Sequence, residues 1–160
     1  MKSLLLAAVL TVSLTACAST PSTLVYSAGF SFANYDYVVV SKPDGDNTTT
    51  ALYGMDVEFA NLMSRYNMKV VGTKELSQMP LDQQRRTLYA RISLSASNKR
   101  ILLSVSFDDA VTGRTGSSIT TYTKGNLFKV DDRTELFEDA SELIVKAMEK
   151  DRGLQIADTR

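Results

Sequence analysis

The sequence predicts an α+β domain: a mixed, mostly antiparallel sheet of about five strands with two amphipathic helices packed on one face. Three observations predict it. Apolar residues recur at helical spacing in two stretches, residues 51–66 and the segment that follows Asp132. Leu88, Ala90, Ile92 and Leu94 alternate with Tyr89, Arg91, Ser93 and Ser95, the period-two pattern of a half-buried strand. Finally, three strand-like runs between Leu88 and Tyr122 are joined by short turn-forming segments, which imposes an antiparallel meander.

In chain order, residues 24–41 are rich in aromatic and β-branched side chains, and Tyr37-Val38-Val39-Val40 is apolar on both faces. That suits a strand covered on both sides, starting near Tyr35 and stopping before Pro43. Pro43 to Thr50 is a loop by its turn residues. Leu52, Met55, Phe59, Leu62, Met63 and Tyr66 line one face of a helix over about 51–66. Asn67 tolerates the left-handed conformation that ends helices, and Met68 to Val71 reads as a short strand. The chain then turns polar around Pro80, with one helical turn at Leu81 to Arg85.

The meander runs from the Leu88 strand through Ser97-Asn98-Lys99 to Ile101–Phe107, then through a turn with two glycines to Ser118–Tyr122. The last helix begins at Asp132, which with Glu135 has the form of a capping box. Leu136, Phe137, Ala140, Leu143, Ile144, Ala147 and Met148 give it a wide apolar stripe, and Gly153 ends it. Residues 154–160 have little to bury and are expected to be a disordered tail.

The first residues have a different character. Lys2 precedes an almost unbroken apolar run, Leu4 to Leu14, that ends in Leu14-Thr15-Ala16-Cys17. About a dozen apolar residues are too few to span a bilayer, but they suit the h-region of a signal peptide with small residues before the cleavage point. This stretch resembles the signal peptide and lipobox of bacterial lipoproteins. The resemblance implies cleavage before Cys17, a diacylglyceryl group on its thiol, and acylation of the new amino group. Residues 1–16 would be the signal, 17–23 the lipidated cysteine and tether, and 24–153 one domain. Several acyl chains at about 0.8 kcal/mol per buried methylene would make the membrane attachment effectively permanent. Ala18, where the family's inner-membrane retention signal would place Asp, implies the outer membrane. No acidic cluster follows the cysteine, so the expected orientation is toward the periplasm.

Composition narrows the function. The chain has 160 residues, with 18 Lys and Arg against 18 Asp and Glu, and loss of Lys2 leaves 17 against 18. A nucleic-acid binder needs a basic face, so nucleic acid is not an expected partner. The sequence holds no histidine and its only cysteine is Cys17. The commonest acid-base and zinc-binding side chain is therefore missing, and no disulfide can form within the chain. Neither a metal nor another cofactor is expected.

The remaining chemical motifs are weak. Asp44-Gly45-Asp46-Asn47 offers oxygen ligands but lacks the distal glutamate of a calcium loop, and reads as a solvated turn. Asp108 and Asp109 are adjacent on a strand, so their carboxylates point to opposite faces and cannot act as a catalytic pair. No serine sits in a nucleophile motif, and Gly113-Arg114-Thr115-Gly116 lacks the Lys-Ser/Thr of a phosphate loop. No enzyme is predicted. Most of the tyrosines read as sheet residues; Tyr89, Arg91 and Tyr122, on the outer side of the meander, are the candidate binding face.

Two stretches carry a second resemblance. Phe30-Ser31-Phe32-Ala33-Asn34-Tyr35-Asp36-Tyr37 and the hairpin Val105-Ser106-Phe107-Asp108-Asp109-Ala110-Val111-Thr112-Gly113-Arg114 are similar to segments of small outer-membrane lipoproteins, among them curli-secretion-type and flagellar-assembly lipoprotein domains. That resemblance implies a non-catalytic module that binds an envelope protein or itself. The alternative expectation is a small-molecule or glycan binder using the tyrosine-bearing face.

Overall fold

The computed structural model describes residues 22–41, 54–97, 100–125 and 129–153. The signal and lipobox residues, the Asp44–Asn47 segment and the tail from residue 154 all lie outside it. Six strands form one sheet: β1 (Thr23–Tyr26), β2 (Tyr37–Ser41), β3 (Lys69–Val70), β4 (Thr87–Ser97), β5 (Arg100–Asp109) and β6 (Thr115–Lys124). Their order is β1-β6-β5-β4-β2-β3, antiparallel from β1 to β4 and parallel from β4 through β2 to β3. The helices are α1 (Met55–Arg65), α2 (Thr73–Leu76), α3 (Leu81–Gln84) and α4 (Val130–Arg152).

Both long helices cover one face, as the two apolar stripes demand. Met55, Phe59 and Met63 of α1 and Leu136, Ala140, Ile144, Ala147 and Met148 of α4 join Leu88, Ala90, Ile92, Leu94, Ile101, Leu103, Val105, Phe107 and Ile119 in the main core. α1 lies against β2 and β3, and α4 against β6 and β5. The parallel β4-β2-β3 arrangement follows from the connections, because parallel neighbours need a crossover and α1 supplies it between β2 and β3. A smaller cluster of Val39, Val71 and Leu76, joined by Tyr37, Met79 and Tyr89, sits on the opposite face. It explains why the β2 valines are apolar on both sides: Val38 faces α1 and Val39 faces α2.

The structure extends the expected sheet at its N-terminal edge. The sixth strand, β1, pairs Thr23 with Thr120 and Tyr26 with Ser117, in a segment to which residue pattern assigned no strand. Four residues of mixed burial carry too little periodicity to mark a strand, and it is the open edge of β6 that fixes them. A 3₁₀ turn at Phe32–Asn34, capped by the Ser31 hydroxyl, delays β2 to Tyr37.

The capping box at Asp132 does not form. α4 begins two residues earlier, with Lys129 at its N-cap and no side-chain cap bond, so Asp131 and Asp132 sit inside the first turn. There they still meet the positive end of the helix dipole. The other end of α4 is as expected, closed by Gly153 at φ 64°. Asn67, at φ 60°, likewise follows α1 in the left-handed region.

Candidate functional site

Between β2 and β6 the sheet face opposite the long helices carries short hydroxylated side chains where alternation points outward. Register aligns Arg91 with Ser106 and Ser118, and Ser93 with Ser104 and Thr120. Ser41 lies beside Arg91 on β2. All of these but Thr120, together with Ile92 and Val105, line an open depression of about 380 Å³.

Its one charged side chain is fixed by a buried neighbour on the same face. Arg91 Nε donates to Asp108 Oδ2 at 2.6 Å, and an Nη2 contact to the same oxygen completes the ion pair. The Thr115 hydroxyl donates to the other carboxylate oxygen at 2.6 Å. Asp108 is 2 % exposed and Arg91 60 %, so the carboxylate is the buried anchor and the guanidinium is what solvent meets. The anchor depends on an irregularity in the strands. Pairing shifts between Phe107 and Asp108, so that Asp108 faces Thr115 while Phe107 faces Ser117, and Gly116 is the extra residue.

Asp109 points the other way, as strand alternation requires. Its Oδ1 accepts from the backbone amides of Val111 (3.1 Å) and Thr112 (2.7 Å) and from the Thr112 hydroxyl (2.9 Å), and its Oδ2 accepts from the Tyr35 hydroxyl (3.2 Å). Burial pushes the Asp109 carboxyl up, but the hydrogen bonds from Thr112, Tyr35 and Val111 outweigh it and hold the group below its ordinary value. Burial and the neighbouring Asp109 charge hold the Tyr35 hydroxyl above its own. The two adjacent aspartates thus serve two different networks on two faces.

The two stretches that carry the lipoprotein resemblance meet in space. Phe30 lies on Gly116, where a Cβ would come within 2.0 Å of Phe30 Cδ2. Phe32 packs edge-on against Phe107, with ring centroids 4.9 Å apart. Ser27 N–H donates to the Gly116 carbonyl at 2.8 Å, and the Ser27 hydroxyl to the Thr115 carbonyl at 2.6 Å. The end of α4 clasps the same segment. Asp151 Oδ2 accepts from the Phe32 amide at 2.8 Å, and Arg152 donates to the carbonyls of Phe32, Tyr35 and Tyr66.

The residues singled out from sequence are placed on one face but are not brought together. Tyr89 pairs with Asp108, whereas Tyr122 pairs with Leu102, opposite Ser95. That is six residues along the strand from Tyr89, roughly 20 Å at 3.3 Å per residue. Tyr89 packs beside Val39 and Leu76 in the smaller cluster. Register thus separates the two tyrosines along the face, and of the three residues only Arg91 lines the depression. Sequence reading missed the serine floor and the role of Asp108. The signal for the floor was present, since the outward positions 93, 95, 104 and 106 are all Ser. Among the described residues no three metal-ligating side chains converge, and no helix is long and apolar enough to cross a membrane.

The architecture defines an open mixed-sheet α+β domain with both long helices on one face. A solved structure shares it. A single-substitution variant of the PelC dodecamer from Paraburkholderia phytofirmans superposes with a TM-score of 0.52 at 13% identity, covering 79% of this chain and 98% of that one. A second PelC dodecamer structure from the same organism gives 0.49 at 18% identity over 80% and 96%. Lipoprotein GNA1162 from Neisseria meningitidis gives 0.43 at 13% identity over 69% and 96%. No protein-family model matches the chain, and no curated protein does.

Proposed function

We propose that this protein is a non-catalytic, lipid-anchored module of the outer membrane, held through Cys17 and facing the periplasm, that binds an envelope protein or further copies of itself. The observation that carries the reading is the fold shared over 98% of a PelC chain whose structure is a dodecamer. The sheet is suited to such contacts. Its edge strands are only four and two residues long, and β6 runs past β1 by Thr121–Lys124, which among the described strands pair with β5 alone. An edge of this kind accepts an added strand. The lipobox supplies the second support, because anchoring confines the module to a plane and raises its effective concentration toward partners on the same membrane.

Crosslinking in intact cells, followed by affinity purification, tests the reading with the native chain and a Cys17→Ser form. One enriched envelope protein, or a ladder of self-crosslinked species, obtained with the anchored form and lost with Cys17→Ser, is the expected result. Recovery of neither from either form overturns it.

A further inference from the structure

Exposed sheet faces are usually screened by large side chains, because these fit the pleated, half-buried surface that gives strands their stability. Here five serines, Ser41, Ser93, Ser104, Ser106 and Ser118, occupy neighbouring outward positions on four strands and leave a hollow between them. Its volume, about 380 Å³, falls within the roughly 300–1,000 Å³ of small-ligand sites. We propose that this depression binds a saccharide segment bearing a carboxylate, a site distinct from the contacts invoked for assembly.

The chemistry of the lining selects that class. Each serine hydroxyl can donate or accept, so the floor matches a ligand whose own hydroxyls do the same. The Ser41 hydroxyl is turned to the Ala90 carbonyl at 3.1 Å, and Ser104 lies 3.5 Å from Thr120, whereas Ser93, Ser106 and Ser118 keep their hydroxyls for an incoming group.

The guanidinium supplies the preference for an acid. Asp108 takes Nε and one side of Nη2, so the remaining Nη donors form a free fork, the shape that matches a carboxylate. No carboxylate lines the depression itself. The Asp108 oxygens are buried and bonded to Arg91 and Thr115, so the carboxylate is turned to its own partners and not to the hollow. Because Arg91 is anchored before any ligand arrives, little side-chain entropy is lost on binding.

The experiment titrates the full-length protein in detergent with tri-galacturonate and, separately, with maltotriose, reading amide chemical shifts and heat. Saturable binding of the uronate is expected, at least tenfold tighter than the neutral sugar and weakening with salt. Ser106→Phe, which fills the floor with a strand-compatible side chain, and Arg91→Lys, which keeps the charge but loses the fork, should each weaken it tenfold or more. Ser93→Tyr provides a second filled floor should Ser106→Phe fail to fold. The proposal is overturned if the uronate does not bind, if maltotriose binds equally well, if acetate competes as strongly as the uronate, or if the floor and fork variants bind unchanged.

Discussion

The Tyr35 hydroxyl donates to Asp109 Oδ2 across 3.2 Å, joining an N-terminal turn to the β5–β6 loop over 74 residues of chain. Asp109 therefore organises two things at once. Its Oδ1 shapes the loop through Val111 and Thr112, and its Oδ2 receives the aromatic segment. Tyr35→Phe should lower stability by about 0.5–1.5 kcal/mol, the net worth of one hydrogen bond. Asp109→Ala should cost more, because it also leaves loop amides without their acceptor. Urea unfolding of both variants checks the order, and an equal loss from the two would show that the loop bonds contribute nothing.

Gly116 is a steric requirement of the Phe30 ring. Gly116→Ala should destabilise the fold by about 1–3 kcal/mol, as overpacking does. Since the clash is with a single side chain, Phe30→Ala should remove most of the added cost. A double-mutant cycle measures this, and additive effects would refute the direct contact.

Arg152 gathers three carbonyls from separate parts of the chain, those of Phe32, Tyr35 and Tyr66. Arg152→Met keeps the aliphatic stem but loses every bond, and should cost about 2–4 kcal/mol given 1–3 kcal/mol for each orphaned partner. The damage should be local first. Hydrogen exchange at residues 32–36 is expected to accelerate before that of β4 and β5, whereas uniform acceleration would mean that the clasp serves only global stability.

Stability should be nearly flat from about pH 5 to 8, because no histidine is present to titrate there. On the acid side, Asp109 is held below its ordinary value, so its contribution is complete above about pH 4 and is lost as pH falls through the lower folded value. On the alkaline side, burial holds Tyr26, Tyr35 and Tyr66 above theirs, helped by Asp151, Asp109 and Glu149 respectively. Their contribution is complete below about pH 10 and is lost as pH rises further. Melting temperature against pH checks both limbs: Asp109→Asn should flatten the acid one and Tyr35→Phe should soften the alkaline one.

Much of this fold is legible without coordinates, for a local reason. The stripes of α1 and α4 and the alternation of β4 are written in residues two to four positions apart, and short connections force β4, β5 and β6 to pair in sequence order. Arg91 also faces outward by simple alternation. The depression around it was harder to see, because its serines come from four strands and its anchor, Asp108, acquires that role only through the pairing shift at Gly116.

The sequence by itself determined the fold class, the helical faces, the meander, and the left-handed residues at Asn67 and Gly153. Tertiary structure alone decided that residues 23–26 are a strand, that Phe30 rests on Gly116, that Arg152 clasps the N-terminal turn, and that Tyr89 and Tyr122 stand apart. The division follows from what each level encodes. Periodicity and turn chemistry depend on neighbours along the chain, whereas these contacts depend on strand order and register, which are fixed only when distant segments compete for the same sheet edge and the same core.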